Sequence, residues 1–365
     1  MTSRWARARA AAAEQGIDAL VITPGADLRY LTGYAAKQLE RLTALVLSAA
    51  GDPVLVVPEL EVTAAAAANV SMEVVAWSET DDPFALVAGH LAGAARIAVD
   101  DHMWAERVLA LQSVLPAATV SLAGEVIRPL RARKDDEEIG WLREAARAID
   151  RVHSRMGEWL RPGRTERAVG SDIARAIVEE GHVSVDFVIV GSGPNGASPH
   201  HEVSDRVIEP GDPVVVDIGG TMPSGYCSDS TRTYVAGGEA PDEFVTAYAV
   251  LQGAQAAQRE FAQPGVAAAA VDEVGRRILR DAGYGDLFIH RTGHGIGLET
   301  HEDPYIVDGN TELLEAGMAF SIEPGFYVPG RYGARIEDIV ITTGSGPDGG
   351  LDVLNTTPRD LVTLG

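Results

Sequence analysis

The stretch VVVDIGGTMPSGYCSDSTRTYVA, residues 214–236, sets the reading of the chain. VVVDIGG has the look of a buried strand with Asp217 near its end, an expensive place for a carboxylate unless a cation compensates it. Asp229 follows twelve positions later in CSDSTRTYVA, the next strand-like segment. The turn formers of GGTMPSG allow the two segments to pair as a hairpin, which lets both carboxylates converge on one point. Taken singly, either acid has a plainer use as a loop cap or as the partner of Arg232.

Residues 320–341, FSIEPGFYVPGRYGARIEDIVI, repeat the device: Glu323 ends one apolar run and Glu337 lies inside another, with Pro and Gly between them. Two acid-bearing hairpins facing one another would gather four carboxylates, which repel one another unless cations sit between them. HRTGHGIGLETHE, residues 290–302, adds His290, His294 and His301 in a segment whose glycines let the backbone approach a crowded site. A lone histidine is more often a hydrogen-bonded structural residue than a ligand, but three in one such segment shift the balance. Four carboxylates and one imidazole make a hard donor set suited to Mn2+, Co2+, Fe2+ or Zn2+, and a pair of such ions can activate a water and polarise a carbonyl.

Outward from these motifs, 365 residues are enough for two domains with a substantial core. A formal charge of -23 argues against nucleic acid as a partner, because phosphates are bound by clustered cations. Cys227 is the sole cysteine, which excludes an intrachain disulfide and a cysteine-rich zinc site. No window has the apolar length of a membrane helix, and Glu14 and Asp18 interrupt the alanine-rich start, so the expectation is a cytoplasmic protein without a membrane partner.

DALVIT, TALVLSA, PVLVVP, MEVVAW and RIAVD in the first third alternate with helix-like stretches such as ELEVTAAAAANV and HMWAERVLALQSVL, the pattern of an α/β layer domain. From residue 128 to 163 the text turns into one long charged helical pattern, and the domain boundary is placed at its start, giving domains 1–130 and 131–365. Thr165 is suited to cap a second helix. Beyond residue 185, strands and glycine loops broken by two helical stretches predict an α+β domain whose helices cover an antiparallel sheet.

The motifs DIGG, SDSTRT, TGHGIG, SIEPG and RIED, in this order and at these spacings, resemble the pita-bread metallopeptidase family, which includes methionine aminopeptidase, aminopeptidase P and prolidase. The resemblance covers nearly the whole chain and implies a creatinase/prolidase-like N-terminal domain before a pita-bread catalytic domain. It implies that Asp217, Asp229, His294, Glu323 and Glu337 hold two divalent ions, Mn2+ first, with Co2+, Zn2+ or Fe2+ as alternatives. It further implies an active-site histidine at His200, or at its neighbour His201, and an orienting role for Thr231. Creatinase shares both domains without using metal, but here all five ligand positions are retained. The length and the GHGIGLETHE text look more like bacterial prolidases than like aminopeptidase P, which acts on longer Xaa-Pro peptides. The expected substrates are therefore small peptides with proline second, and the family habit is a homodimer. A catalytically silent binding protein of the same fold is a further alternative.

In the expected reaction Glu323 accepts a proton from the attacking water and helps return one to the leaving proline nitrogen, while His301 and His200 steady the oxyanion. Arg335, two positions before Glu337, shares its strand face and is expected to bind the substrate carboxylate, with a plain counter-ion role as the alternative. His290 is a candidate for the proline pocket or for the core, and Tyr226 for substrate contact or packing. Arg291 carries no reading from the sequence.

Overall fold

The computed structural model describes residues 3–344 and 349–365, which fall into two compact units, Met1–Arg131 and Ala132–Gly365. In the first unit, strands β1 (Ala19–Ile22), β2 (Ala44–Ser48), β3 (Val54–Pro58), β4 (Glu73–Trp77), β5 (Arg96–Val99) and β6 (Thr119–Leu122) form one mixed sheet in the order β4-β3-β2-β1-β5-β6. One face, with Val21, Val46, Val56 and Val99, packs against helices that contribute Val87 and Leu111. Alternate residues Leu20, Leu45, Leu47 and Leu55 are buried as well, which is why these strands read as continuous apolar runs. The strand β6 escapes a sequence reading because TVSL is mostly exposed and carries no apolar run.

The long helical pattern at 128–163 is in fact interrupted. A helix ends at Ala132 and another runs from Asp136 to Ser154, followed by a short 3-10 turn at Met156–Glu158. The cause is a capping box: Glu138 N donates to Asp135 Oδ1 at 3.0 Å and Asp135 N donates to Glu138 Oε2 at 2.9 Å, which holds Asp135 extended. Thr165 caps the next helix, Glu166–Glu179, by accepting from Ala168 N at 3.2 Å.

In the second unit β7 (Ser184–Ser192), β8 (Asp212–Thr221) and β9 (Cys227–Ala236) form an antiparallel meander, flanked by the late strand Val362–Leu364, which lies parallel to β9. A second sheet contains β10 (Gly293–Gly295), β11 (Glu302–Ile306), β12 (Ala319–Ile322), then β15 (Asp338–Thr343) and β16 (Gly350–Val353), while β13 (Gly325–Val328) and β14 (Tyr332–Arg335) form a separate ribbon. Helices cover both groups. Ile149, Val152, Val169 and Ile173 pack on Val214, Val216 and Ile218; Phe244, Leu251 and Leu279, from the helices Asp242–Phe261 and Ala268–Asp281, pack on Phe326 and Ala334. Full burial of each such aliphatic side chain is worth about 1.5–3 kcal/mol. Since Val214, Val216 and Ile218 face this core, the alternate residues of β8, Asp217 among them, must face the other way. Among the described residues no helix is long and apolar enough to cross a membrane.

Candidate metal centre and active-site cavity

The register of β8 on β9 sets Asp217 opposite Thr231 and Gly219 opposite Asp229, so the two aspartates are diagonal neighbours on one face. Neither reaches Arg232, which points away to Asp338 at 2.8 Å. The other pair of acids comes from a hairpin that is broken. Ile322 pairs with Asp338 and Gly325 with Arg335, leaving Glu323–Pro324 and Ile336–Glu337 at the junction of two ribbons. There the backbone borrows partners: Glu323 N donates to Thr292 O at 2.7 Å and Glu337 N to Thr231 O at 3.1 Å.

His294 sits on β10 between two glycines. A Cβ at Gly293 would collide with Ser321 O and one at Gly295 with Asp303 O, so only glycine lets this strand lie so close to its neighbours. His294 Nδ1 is 3.1 Å from Gly295 O, a carbonyl that can only accept, so Nδ1 carries the hydrogen and Nε2 is turned to the acids. It lies 3.2 Å from Glu323 Oε1 and 3.7 Å from Asp229 Oδ2, and a lone pair facing carboxylate oxygens requires a proton or a cation between them. The segment carrying His294 is clamped from behind: Thr292 N donates to Asp272 at 3.0 Å and Gln258 Nε2 to Thr292 Oγ1 at 2.8 Å.

The donors thus meet. Ligand atoms of Asp217, Asp229 and Glu337, of His294, Glu323 and Glu337, and of Asp229, His294 and His301 each lie within 4.8 Å of one another. Asp217 Oδ1 and Glu337 Oε1 are fully buried without a hydrogen-bond partner among the described residues, a costly state for a carboxylate oxygen. Burial and the crowd of neighbouring acids push Asp229 and Glu337 well above the ordinary carboxylate range. Burial also raises Glu323, but His294, His290 and Arg335 outweigh it and hold that carboxyl low. Orphaned lone pairs and mutually repelling acids are what divalent ions relieve, so the donor set fits them. Thr231 Oγ1 donates to Glu337 Oε2 at 2.7 Å and accepts from Arg335 Nε at 3.2 Å, fixing the glutamate's orientation.

Arg335 does share the face of Glu337, yet four of its five guanidinium N–H groups are taken by the protein. It is 2.5 Å from Asp217 Oδ2, donates to Tyr327 OH at 2.6 Å and to Pro199 O at 3.4 Å, and is almost completely buried. That pairing with Asp217 is what the counter-ion alternative calls for, and one Nη1 hydrogen has no partner among the described residues. His290 is similarly engaged: Nδ1 donates to Arg291 O at 2.7 Å and Nε2 accepts from Tyr327 OH at 2.9 Å, leaving only ring carbons for the cavity. Burial lowers the His290 imidazole to about 4, so it is neutral near pH 7. Tyr226 belongs to the core, stacked on Trp141 and donating to Glu138 at 2.5 Å.

The five candidate ligands, Arg335 and His290 line a cavity of about 880 Å³, whose wall also includes Phe187, Val188 and Ile189 of β7 and Pro199 to Glu202. His200 and His201 both line the cavity, but His201 Nε2 is tied to Glu166 at 2.8 Å while His200 makes no hydrogen bond among the described residues. His301 stands with its ring centroid 4.0 Å from that of His294, and burial, then His294 and Arg291, lower it to about 4. Arg291, the residue without a reading, also lines the cavity, its guanidinium 4.5 Å above the Tyr305 ring.

Residues 140–344 match the model of metallopeptidase family M24, and residues 4–133 match the creatinase/prolidase N-terminal domain. The chain belongs to metallopeptidase family M24. It is 54% identical over 365 residues to the probable dipeptidase PepE of Mycobacterium bovis, covering 99% of this chain and 96% of that one. It is 37% identical over 344 residues to the Xaa-Pro dipeptidase of Lactobacillus delbrueckii subsp. lactis, covering 91% and 92%. The crystal structure of dipeptidase PepE from Mycobacterium ulcerans superposes with a TM-score of 0.92 at 52% identity, covering 99% of this chain and 97% of that one.

This M24 chain therefore carries acid and histidine clusters able to bind metal. The residue that holds the His200 loop has no reading in the sequence analysis. Glu166, fully buried, accepts from Ser192 N at 2.8 Å, Ser192 Oγ at 2.7 Å, Asn195 Nδ2 at 3.0 Å and Ser204 Oγ at 2.6 Å, besides His201. The one available signal was a glutamate directly after the cap Thr165, and a first-turn acid already has a local explanation in the helix dipole.

Proposed function

We propose that the protein is a dinuclear metal-dependent dipeptidase that hydrolyses the Xaa-Pro bond. The observation that carries this reading is the pair of orphaned buried oxygens, Asp217 Oδ1 and Glu337 Oε1, in a knot of four carboxylates and one imidazole at the floor of a cavity roomy enough for a dipeptide. Two divalent ions, Mn2+ first, would be held by Asp217, Asp229, His294, Glu323 and Glu337. When bound they supply Lewis-acid polarisation of the scissile carbonyl and an acidified water.

The protein's own groups do the rest. Glu323, held ionised beside His294, accepts the proton of the attacking water and passes one to the leaving nitrogen. His301 is neutral at pH 7 and acts as a hydrogen-bond donor to the developing oxyanion, with His200, also in the cavity wall, as a second donor. Arg335 offsets the acids without entering the reaction. Proline as the second residue is supported by the name of the Lactobacillus relative.

Apoprotein reconstituted with Mn2+, Co2+ or Zn2+ and assayed on Ala-Pro and Ala-Pro-Ala tests the reading. A dipeptidase cleaves the first and spares the second; the reverse preference would make the protein an aminopeptidase of the longer-peptide kind. Asp229→Ala and Glu337→Ala should each lose bound metal together with turnover, and retention of both by either variant would sink the ligand assignment.

A further inference from the structure

We propose that Arg291 is the receptor for the free C-terminal carboxylate of the dipeptide, a proposal that rests on the functional reading above. The cavity wall includes six carboxylates, and its guanidiniums are those of Arg335 and Arg291. A dipeptide acid brings one more negative charge into this field, so its carboxylate needs a cation with free donors. Arg335 has one at most, since Asp217, Tyr327, Thr231 and Pro199 O take four of its five N–H groups, too few for a two-bonded grip on a carboxylate.

Arg291 is the opposite case. It is half-buried, its guanidinium makes no hydrogen bond or ion pair among the described residues, and it lies over the face of Tyr305. A guanidinium seated over an aromatic ring spends none of its N–H groups on a hydrogen bond there, so they stay available to grip a carboxylate through two parallel bonds. The stack also removes side-chain freedom before substrate arrives. Arg291 is three residues before His294 and close enough to His301 for its charge to act on that imidazole, which places the receptor beside the reacting centre. A longer peptide presents a neutral amide where the dipeptide has its carboxylate, so this contact rejects tripeptides by withholding an ion pair.

The test uses the metal-loaded protein with Ala-Pro, Ala-Pro amide and Glu-Pro, together with Arg291→Gln and Arg291→Lys. The wild type should favour the acid over the amide by about 100-fold in kcat/KM, from the loss of a partly buried charged pair. Arg291→Gln should slow Ala-Pro by about 50-fold or more while the amide changes by less than about threefold, with Arg291→Lys in between. Calorimetric titration with the uncleavable reduced isostere of Ala-Pro, as acid and as amide, should show the same loss without turnover. Equal losses on acid and amide would reduce Arg291 to packing, and a loss confined to Glu-Pro would assign it to the Xaa side chain; either overturns the proposal. A wild type that cleaves acid and amide equally removes the receptor and leaves the dipeptidase standing. A wild type that cleaves neither removes the dipeptidase, and the isostere titration then decides the receptor by itself.

Discussion

Arg335 Nη2 lies 2.5 Å from Asp217 Oδ2, a full positive charge built into a cluster of four carboxylates. Taking one member out of a buried ion pair typically costs about 3–5 kcal/mol, because the partner is left charged and dry. Arg335→Met should therefore destabilise the metal-free protein by about 3 kcal/mol or more. Added Mn2+ replaces the missing charge, so the rise in Tm on adding the ion should be larger in the variant than in the wild type. Thermal unfolding with and without Mn2+ measures both. An unchanged Tm accompanied by a higher KM for Ala-Pro would return Arg335 to the substrate.

The acids were legible because a carboxylate in an apolar strand has few physical excuses. Asp217 in VVVDIGG and Glu337 in RIEDIVI advertise a compensating cation without any tertiary knowledge. The partners of Arg335 were not legible. Period-2 alternation puts it on the face of Glu337, but what takes most of its donors is Tyr327, Asp217 and Pro199, the last two more than 100 residues away. The break at Glu323–Pro324 was hidden for a related reason, since its backbone is satisfied by Thr292, just before β10, and its counterpart Glu337 by Thr231 on β9. Local pattern also failed at Asp135, where apolar spacing runs on through a cap that ends the helix.

Glu166 offers a test of how the cavity wall is held. Every group facing its carboxylate is a donor, from Ser192, Asn195, His201 and Ser204, and these bonds outweigh its burial and keep it ionised. Glutamine turns an N–H2 toward those donors. Glu166→Gln should cost about 2–4 kcal/mol of stability, by leaving buried donors unpaired. It should also lower kcat by about 10- to 100-fold, since His200 rides on the same loop and a misplacement near 1 Å is enough. Hydrogen exchange over residues 192–204 should rise while bound metal stays unchanged. Normal protection of that loop in a slow variant would mean that Glu166 does not position it.

Asp100, in the N-terminal unit, is buried at the end of β5, where its Oδ1 accepts from His102 N at 2.7 Å. Burial, and then the charge of Asp27, raise its carboxyl to about 7. A folded-state value above the unfolded one means that the native protein holds the proton more tightly. The protonated native form is favoured below about pH 4, and stability drains away as pH climbs to 7 and then levels off. With three units between the two values the loss amounts to about 4 kcal/mol in full, and about 2–4 kcal/mol after relaxation of the site. Asparagine keeps the acceptor for His102 and carries no charge. Asp100→Asn should be near wild type in Tm at pH 4.5 and clearly more stable at pH 8, with the gap opening between those limits. A Tm difference that is the same at both pH values would show that Asp100 does not titrate in this window.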